Sequence, residues 1–165
     1  MKNTSIYYPK ELSWLAFNER VLQEAADENN PVIERLRFLG IYSNNLDEFF
    51  KVRVAGVQRM ISIAENAGDE AEIDAGKILL DKIQHKVIRA SKQFDLIHKR
   101  IIQDLGRYNI FILKAEQLTD AHIKWVTDLF FNKILRHIAP ILVHNKIDLS
   151  QRLNGSSVYF YVALK

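Results

Sequence analysis

The 165-residue sequence contains no cysteine, which excludes disulfides and thiolate chemistry and favours a cytoplasmic location. No apolar run approaches the length that crosses a membrane. The opening segment, MKNTSIYYPKELSW, lacks the apolar core of a secretory signal. Motifs that announce a chemistry are missing as well: there is no GxxxxGKS or GxxxxGKT, no GxGxxG and no GxSxG. Five histidines occur, His85, His98, His122, His137 and His144, but no two stand at i,i+3 or i,i+4, and no HExxH is present. His85 and His98 fall on one expected helix about 20 Å apart along its axis, too far to share a metal. Nor does either charge sign dominate. The net charge of +3 and pI near 9.1 mildly favour anionic partners such as nucleotides or polyphosphate, without the basic excess of a nucleic-acid binder.

What is present is an ordinary globular composition, 48% hydrophobic and 26% charged, in a chain long enough for one domain with a real core and part of another. Residues 1–12 read as an extended arm. Ser13 then caps a helix through Asp27, with Trp14, Phe17, Val21, Leu22 and Ala25 as its apolar face. Asn30 and Pro31 suit the start of a second helix. Ser43-Asn44-Asn45 suits the start of a third, with Asp47 and Glu48 at its positive end, running from about Leu46 to Asn66 and stopped at Gly68. After an acidic linker to Asp74, residues 76–105 carry the longest periodic pattern: Leu80, Ile83, Val87, Ala90, Phe94, Ile97, Ile101 and Leu105, in steps of three and four. Gly106 closes it.

The pattern then changes. Asn109–Leu113, Ile141–Val143 and Val158–Leu164 have strand character, and between them Leu118-Thr119 serves as staple and cap for a helix of residues 120–138, stopped by Pro140. The expected fold is therefore mainly α: a bundle of about four helices over residues 1–106, followed by the beginning of an α/β domain over 107–165 whose sheet is unfinished and truncated.

Between residues 30 and 60 apolar and basic residues mix around the polar Asn44-Asn45 corner. Capping is the simplest role for that corner; a ligand hydrogen bond is the alternative. The neighbouring carboxylates disfavour phosphates on that helix end, so base or ribose contact fits better. Asp47 and Glu48 point about 100° apart and make no ready acid/base pair. Arg35, Arg37, Lys51, Arg53 and Arg59 form either a solvated face or a phosphate-facing patch. Trp14, Phe17, Phe38, Phe49 and Phe50 are expected in the core.

Three runs go further. ELSWLAFNERVLQEAAD (Glu11 to Asp27), NPVIERLRFLGIYSNNLDEFFKVRVAG (Asn30 to Gly56) and IAPILV (Ile138 to Val143) resemble the N-terminal part of the bacterial polyphosphate kinase family. The resemblance covers essentially the whole chain. It implies a helical N-terminal domain, an α/β head domain and further C-terminal domains. It also implies a homo-oligomeric, dimeric, cytoplasmic enzyme, peripherally associated with membranes, that uses ATP and magnesium. Such an enzyme transfers the terminal phosphate of ATP reversibly to polyphosphate through a phosphohistidine. By position, Asn45 matches the family's nucleotide-binding asparagine, while Lys51 and Arg53 are candidate phosphate-facing residues. The family's catalytic histidines and magnesium ligands belong to the C-terminal domains, so no catalytic residue and no metal ligand is assigned to this chain. The rival reading is a non-enzymatic helical interaction or oligomerisation module that uses the 76–105 helix.

Overall fold

A computed structural model of the chain describes residues 8–143, 148–149, 152–154 and 157–163. Two prolines set the first helices. Pro9, in extended backbone, accepts the N–H groups of Leu12 and Ser13 through its carbonyl, so α1 begins at Lys10 and runs to Ala26. Ser13 lies inside α1 rather than capping it. Pro31 plays the same part for α2, Val32–Phe49, its carbonyl accepting the Arg35 N–H. Asn30, expected as the cap, instead donates its side-chain amide to the Glu24 carbonyl at 2.9 Å and ties off the end of α1.

No break occurs at Ser43-Asn44-Asn45: α2 passes straight through. In place of a cap, the Asn45 side chain turns to α1, its Nδ2 donating to Asn18 Oδ1 at 3.0 Å, while Tyr42 and Phe49 on either side of the corner are held in apolar clusters. The irregularity comes five residues later, as a π-helical turn, Phe50–Val54, that leads into α3, Ala55–Ala67. A π turn brings residues five apart onto one face. Phe49 and Val54 accordingly reach the same apolar cluster.

Gly68, at φ 71°, stops α3 in the left-handed conformation, with Asp69 N–H bonding back to Ala64. The next residue starts the following helix: Asp69 accepts the Glu72 N–H at 3.1 Å. The expected acidic linker is thus the first turn of α4, Glu70–Gly106, in which Glu70 and Glu72 face the positive helix end.

α4 has 37 residues, about 55 Å at 1.5 Å per residue, and the other three helices pack along it. Three apolar layers follow. Ile73 meets Val57, Ile61 and Ala64 of α3. Ile83 meets Leu12, Leu15, Phe49 and Val54. Ala90, Ile101 and Leu105 meet Leu22, Ala25, Leu39 and Tyr42. Every residue of the Leu80-to-Leu105 seam is buried or half-buried. On α1 the buried row is Leu12, Leu15, Asn18, Leu22 and Ala25, whereas Phe17 is 60% exposed. Trp14 stacks on Phe49 with ring centroids 4.8 Å apart, and Phe50 lies outside the core.

The chain divides into two compact units, Met1–Ile112 and Leu113–Lys165. In the second, Thr119 caps α5, Asp120–Leu129, which continues through a π turn, Phe130–Ile134, to His137. The expected strands at 109–113, 141–143 and 158–163 are not seen among the described residues, where the fold is mainly α; Leu164 lies outside them. A strand exists only against a hydrogen-bonded neighbour. These apolar runs have none there, and their side chains stay open: Phe111 is 67% exposed and Phe160 91%. No described side chain of this second unit is buried. Among the described residues, no helix is long and apolar enough to cross a membrane.

Candidate functional site

The first unit places Asn45 over a buried amide relay. Asn18 sits in the middle of the apolar row of α1 and is only 1% exposed. Its Nδ2 donates to the Tyr42 carbonyl at 3.1 Å, and its Oδ1 accepts from Asn45 Nδ2 at 3.0 Å. A helical carbonyl has two lone pairs and no donor, so the atom that Asn18 turns toward Tyr42 must be its nitrogen. The oxygen then faces Asn45, and Asn45 must answer with its nitrogen. Two amides whose orientation is usually a matter of inference are fixed by one backbone oxygen. Asn45 itself is half-buried, and no described residue hydrogen-bonds its Oδ1.

Lys51 and Arg53 occupy the π turn that follows, and both are exposed. Lys51 Nζ donates to Asp47 Oδ2 at 2.6 Å. That hydrogen bond, with the Asp47 charge behind it, holds the Lys51 amine above its ordinary value. Arg53 has no ion-pair partner among the described residues. The structure therefore brings together a fixed amide, a neutralised lysine and a free guanidinium on successive turns of one helical run.

Two more arginines of the basic set are spent elsewhere. Arg35 is buried, donating Nε to the Ala25 carbonyl at 3.0 Å and Nη1 to Asp104 at 2.9 Å. Arg37 pairs with Glu34 on the surface. Beside Arg35, an open groove of about 430 Å³ runs past Asn30, Pro31, Asp104, Arg107 and Tyr108. Its two arginines are paired, because Asp104 takes both Arg35 and Arg107 at 2.9 Å.

The histidines are dispersed. His85 contacts Asp81 one turn away, and His98 stacks on Phe94. His122 completes the capping box of Thr119, and His137 meets Arg136. His144 lies outside the described residues. Among the described residues no group of three His, Asp or Glu side chains could hold a metal ion. Magnesium finds no such group among the described residues.

Asn18 is the residue that sequence reasoning missed. Its signal was available: steps of three and four from Leu15 to Leu22 pass through position 18, which puts a polar residue in the middle of the buried stripe of α1.

The first unit is thus a helical domain with an oriented amide pair at its core and exposed cations beside it. Comparison with known proteins makes this particular. A family model described as polyphosphate kinase N-terminal domain matches residues 7–113. The chain is 46% identical over 165 residues to a polyphosphate kinase of Vibrio parahaemolyticus, covering all of this chain and 23% of that one. Over 164 residues it is 45% identical to a polyphosphate kinase of Salmonella typhimurium and 44% to one of Escherichia coli, in each case 99% of this chain and 23% of the relative. The chain belongs to the polyphosphate kinase family. It spans about a quarter of the length of the curated relatives it matches.

Proposed function

We propose that this chain is the nucleotide-handling N-terminal portion of an enzyme that moves the terminal phosphate of ATP reversibly onto inorganic polyphosphate through a phosphohistidine. The observation that carries the reading is Asn45, the position matched by the family resemblance. It is half-buried, held from below by Asn18, and has an unengaged carbonyl oxygen. A base or ribose donor suits that oxygen; a phosphate oxygen does not. Lys51 and Arg53 offer positive charge to the phosphates, and charge neutralisation is the main help a protein gives to phosphoryl transfer. Because Lys51 is already paired with Asp47, Arg53 is the stronger of the two.

On this reading the phosphorylated histidine and the magnesium ligands belong to other domains of a homodimeric enzyme, and the second unit opens the head domain. That unit's exposed side chains, Trp125 at 65% and Phe131 at 63% among them, support a surface that other parts of the enzyme cover. The same exposure counts against a self-contained interaction module built on α4. The purified chain alone is expected to make no polyphosphate, and ATP-dependent polymer from it would refute the division of labour.

Titration of ATP into the isotopically labelled chain tests the nucleotide role. Saturable amide shifts from Asn44 to Arg53, lost in Asn45→Ala, are expected. A folded chain whose spectrum ignores saturating ATP would remove this role from the domain.

A further inference from the structure

We infer that Asn18 is a positioning residue: it fixes the Asn45 amide so that an acceptor, Oδ1, is what a nucleotide meets, and thereby makes the site select a donor on the nucleoside. This rests on the reading of Asn45 as a nucleotide contact. A free asparagine side chain is ambivalent, since rotation by 180° about its last bond exchanges an acceptor for a donor. It would tolerate a 6-amino and a 6-oxo purine alike. Here the exchange is blocked. Rotating Asn45 would set its oxygen against the Asn18 oxygen, and rotating Asn18 in compensation would set its own oxygen against the Tyr42 carbonyl. Either arrangement leaves two acceptors face to face at a site where Asn18 is 1% exposed, and buried unpaired polar atoms are disfavoured most strongly. The preference set at Tyr42 is thus relayed through two side chains to the surface.

The donor on the nucleoside has two sources, the exocyclic amine of adenine and the ribose hydroxyls. Binding of ATP, ITP, 2′-deoxy-ATP and 3′-deoxy-ATP to the chain separates them. ITP lacks the amine and each deoxy analogue lacks one hydroxyl. The wild-type chain is expected to favour ATP about five- to tenfold over the analogue that lacks the donor used, the worth of one net hydrogen bond. Asn18→Leu is the informative variant. Position 18 lies on the row of Leu12, Leu15, Leu22 and Ala25, so leucine suits the fold and the melting temperature is expected to hold or rise. The preference for ATP over ITP is expected to collapse toward unity, because a freed Asn45 amide can turn its donor to the 6-oxo group. A ribose hydroxyl both donates and accepts, so a preference that rests on it persists in Asn18→Leu and counts against the relay. A purely structural role would move stability and leave the ratio alone.

Unchanged discrimination in Asn18→Leu, with Asn45→Ala abolishing binding, would overturn the relay and keep Asn45 as a contact. ATP affinity unaffected by Asn45→Ala would overturn both. Equal losses for ATP and inorganic triphosphate in Asn45→Ala would make Asn45 a phosphate contact and also overturn the inference. Should Asn18→Leu fail to fold, the wild-type chain still decides through its side-chain amide resonances. One Asn45 Nδ2 proton is expected to exchange slowly with solvent, and two rapidly exchanging protons would sink the relay.

Discussion

Arg35 joins three helices at one point: from α2 it donates Nε to the Ala25 carbonyl in the last turn of α1 and Nη1 to Asp104 Oδ2 in the last turns of α4, at 3.0 and 2.9 Å. Its side chain is 5% exposed and that of Asp104 18%, so this pair is held largely away from water. Breaking such a pair leaves the Asp104 carboxylate to Arg107 alone and deprives the Ala25 carbonyl of its buried side-chain donor, at a cost of about 2–4 kcal/mol. Arg35→Ala is expected to lower unfolding free energy by that amount in urea titration. Arg35→Lys should recover less than half, because an ammonium cannot serve both acceptors in the fixed fork of a guanidinium. A loss below about 1 kcal/mol, the size of an exposed pair, would contradict this account.

Gly76 is set in α4 where α3 crosses closely: a Cβ at that position would overlap Ile61 Cγ1 and lie 3.0 Å from its Cδ1. Alanine is the better helix former by about 1 kcal/mol, but overpacking a buried isoleucine costs about 1–3 kcal/mol. Gly76→Ala is therefore expected to destabilise the wild-type chain and to stabilise an Ile61→Ala chain, where the obstruction is gone. A double-mutant cycle by chemical denaturation reads the sign change. The same sign in both backgrounds would mean that the α3–α4 spacing is not set there.

The parts of the fold that were legible are those with local causes. The Leu80-to-Leu105 seam, the Gly68 stop and the Thr119 cap depend on residues within a few positions of one another, and each is read directly from spacing and residue type. What was not legible depends on partners distant in sequence. Ser43-Asn44-Asn45 has the composition of a helix start, yet the helix runs on, carrying Tyr42 and Phe49 into apolar clusters and the Asn45 Nδ2 to Asn18, 27 residues earlier. The helix starts at Lys10 and Val32 shifted because proline carbonyls, not the side chains of Ser13 and Asn30, accept the first bonds. Ile110–Leu113 and Val158–Leu164 have strand composition, but composition supplies no mate. Of the site, the asparagine corner and the two cations were visible, while the residue that orients the corner was hidden as a polar position on an apolar stripe.

Tyr42 gives the domain an alkaline limit. Burial, and secondarily the Glu19 carboxylate, raise its phenol above the ordinary value of about 10. A group raised in the folded state contributes stability that is whole below its unfolded value and is lost as the pH rises through its folded value. Unfolding free energy is therefore expected to fall above about pH 10. Glu19→Gln should bring Tyr42 part of the way back, since burial is the larger cause and remains. Carbon-13 shifts of the Tyr42 ring followed against pH provide the measurement. A Tyr42 that ionises at the ordinary phenol value would show that its burial is not maintained in solution.

Lys51 and Arg53 should differ as anion contacts although they are two residues apart. The carboxylate of Asp47 lies 2.6 Å from Lys51 Nζ and cancels much of its field, while Arg53 has no such partner among the described residues. On the proposed reading, Arg53→Ala weakens polyphosphate binding about two- to fivefold, the size of one solvent-screened ion contact. Lys51→Met changes it less, and Asp47→Asn strengthens it by releasing the lysine. The Lys51 amine, held above its ordinary value by Asp47, stays charged throughout the neutral range, so none of these effects should depend on pH between 6 and 9, about one unit or more below the usual lysine value. All three variants alter exposed groups and are expected to leave the melting temperature unchanged. Binding isotherms for defined-length polyphosphate at two salt concentrations provide the measurement, with the differences shrinking at the higher one. If Asp47→Asn failed to tighten binding while Lys51→Met weakened it as much as Arg53→Ala, the ion pair would not be governing which cation reaches the phosphate.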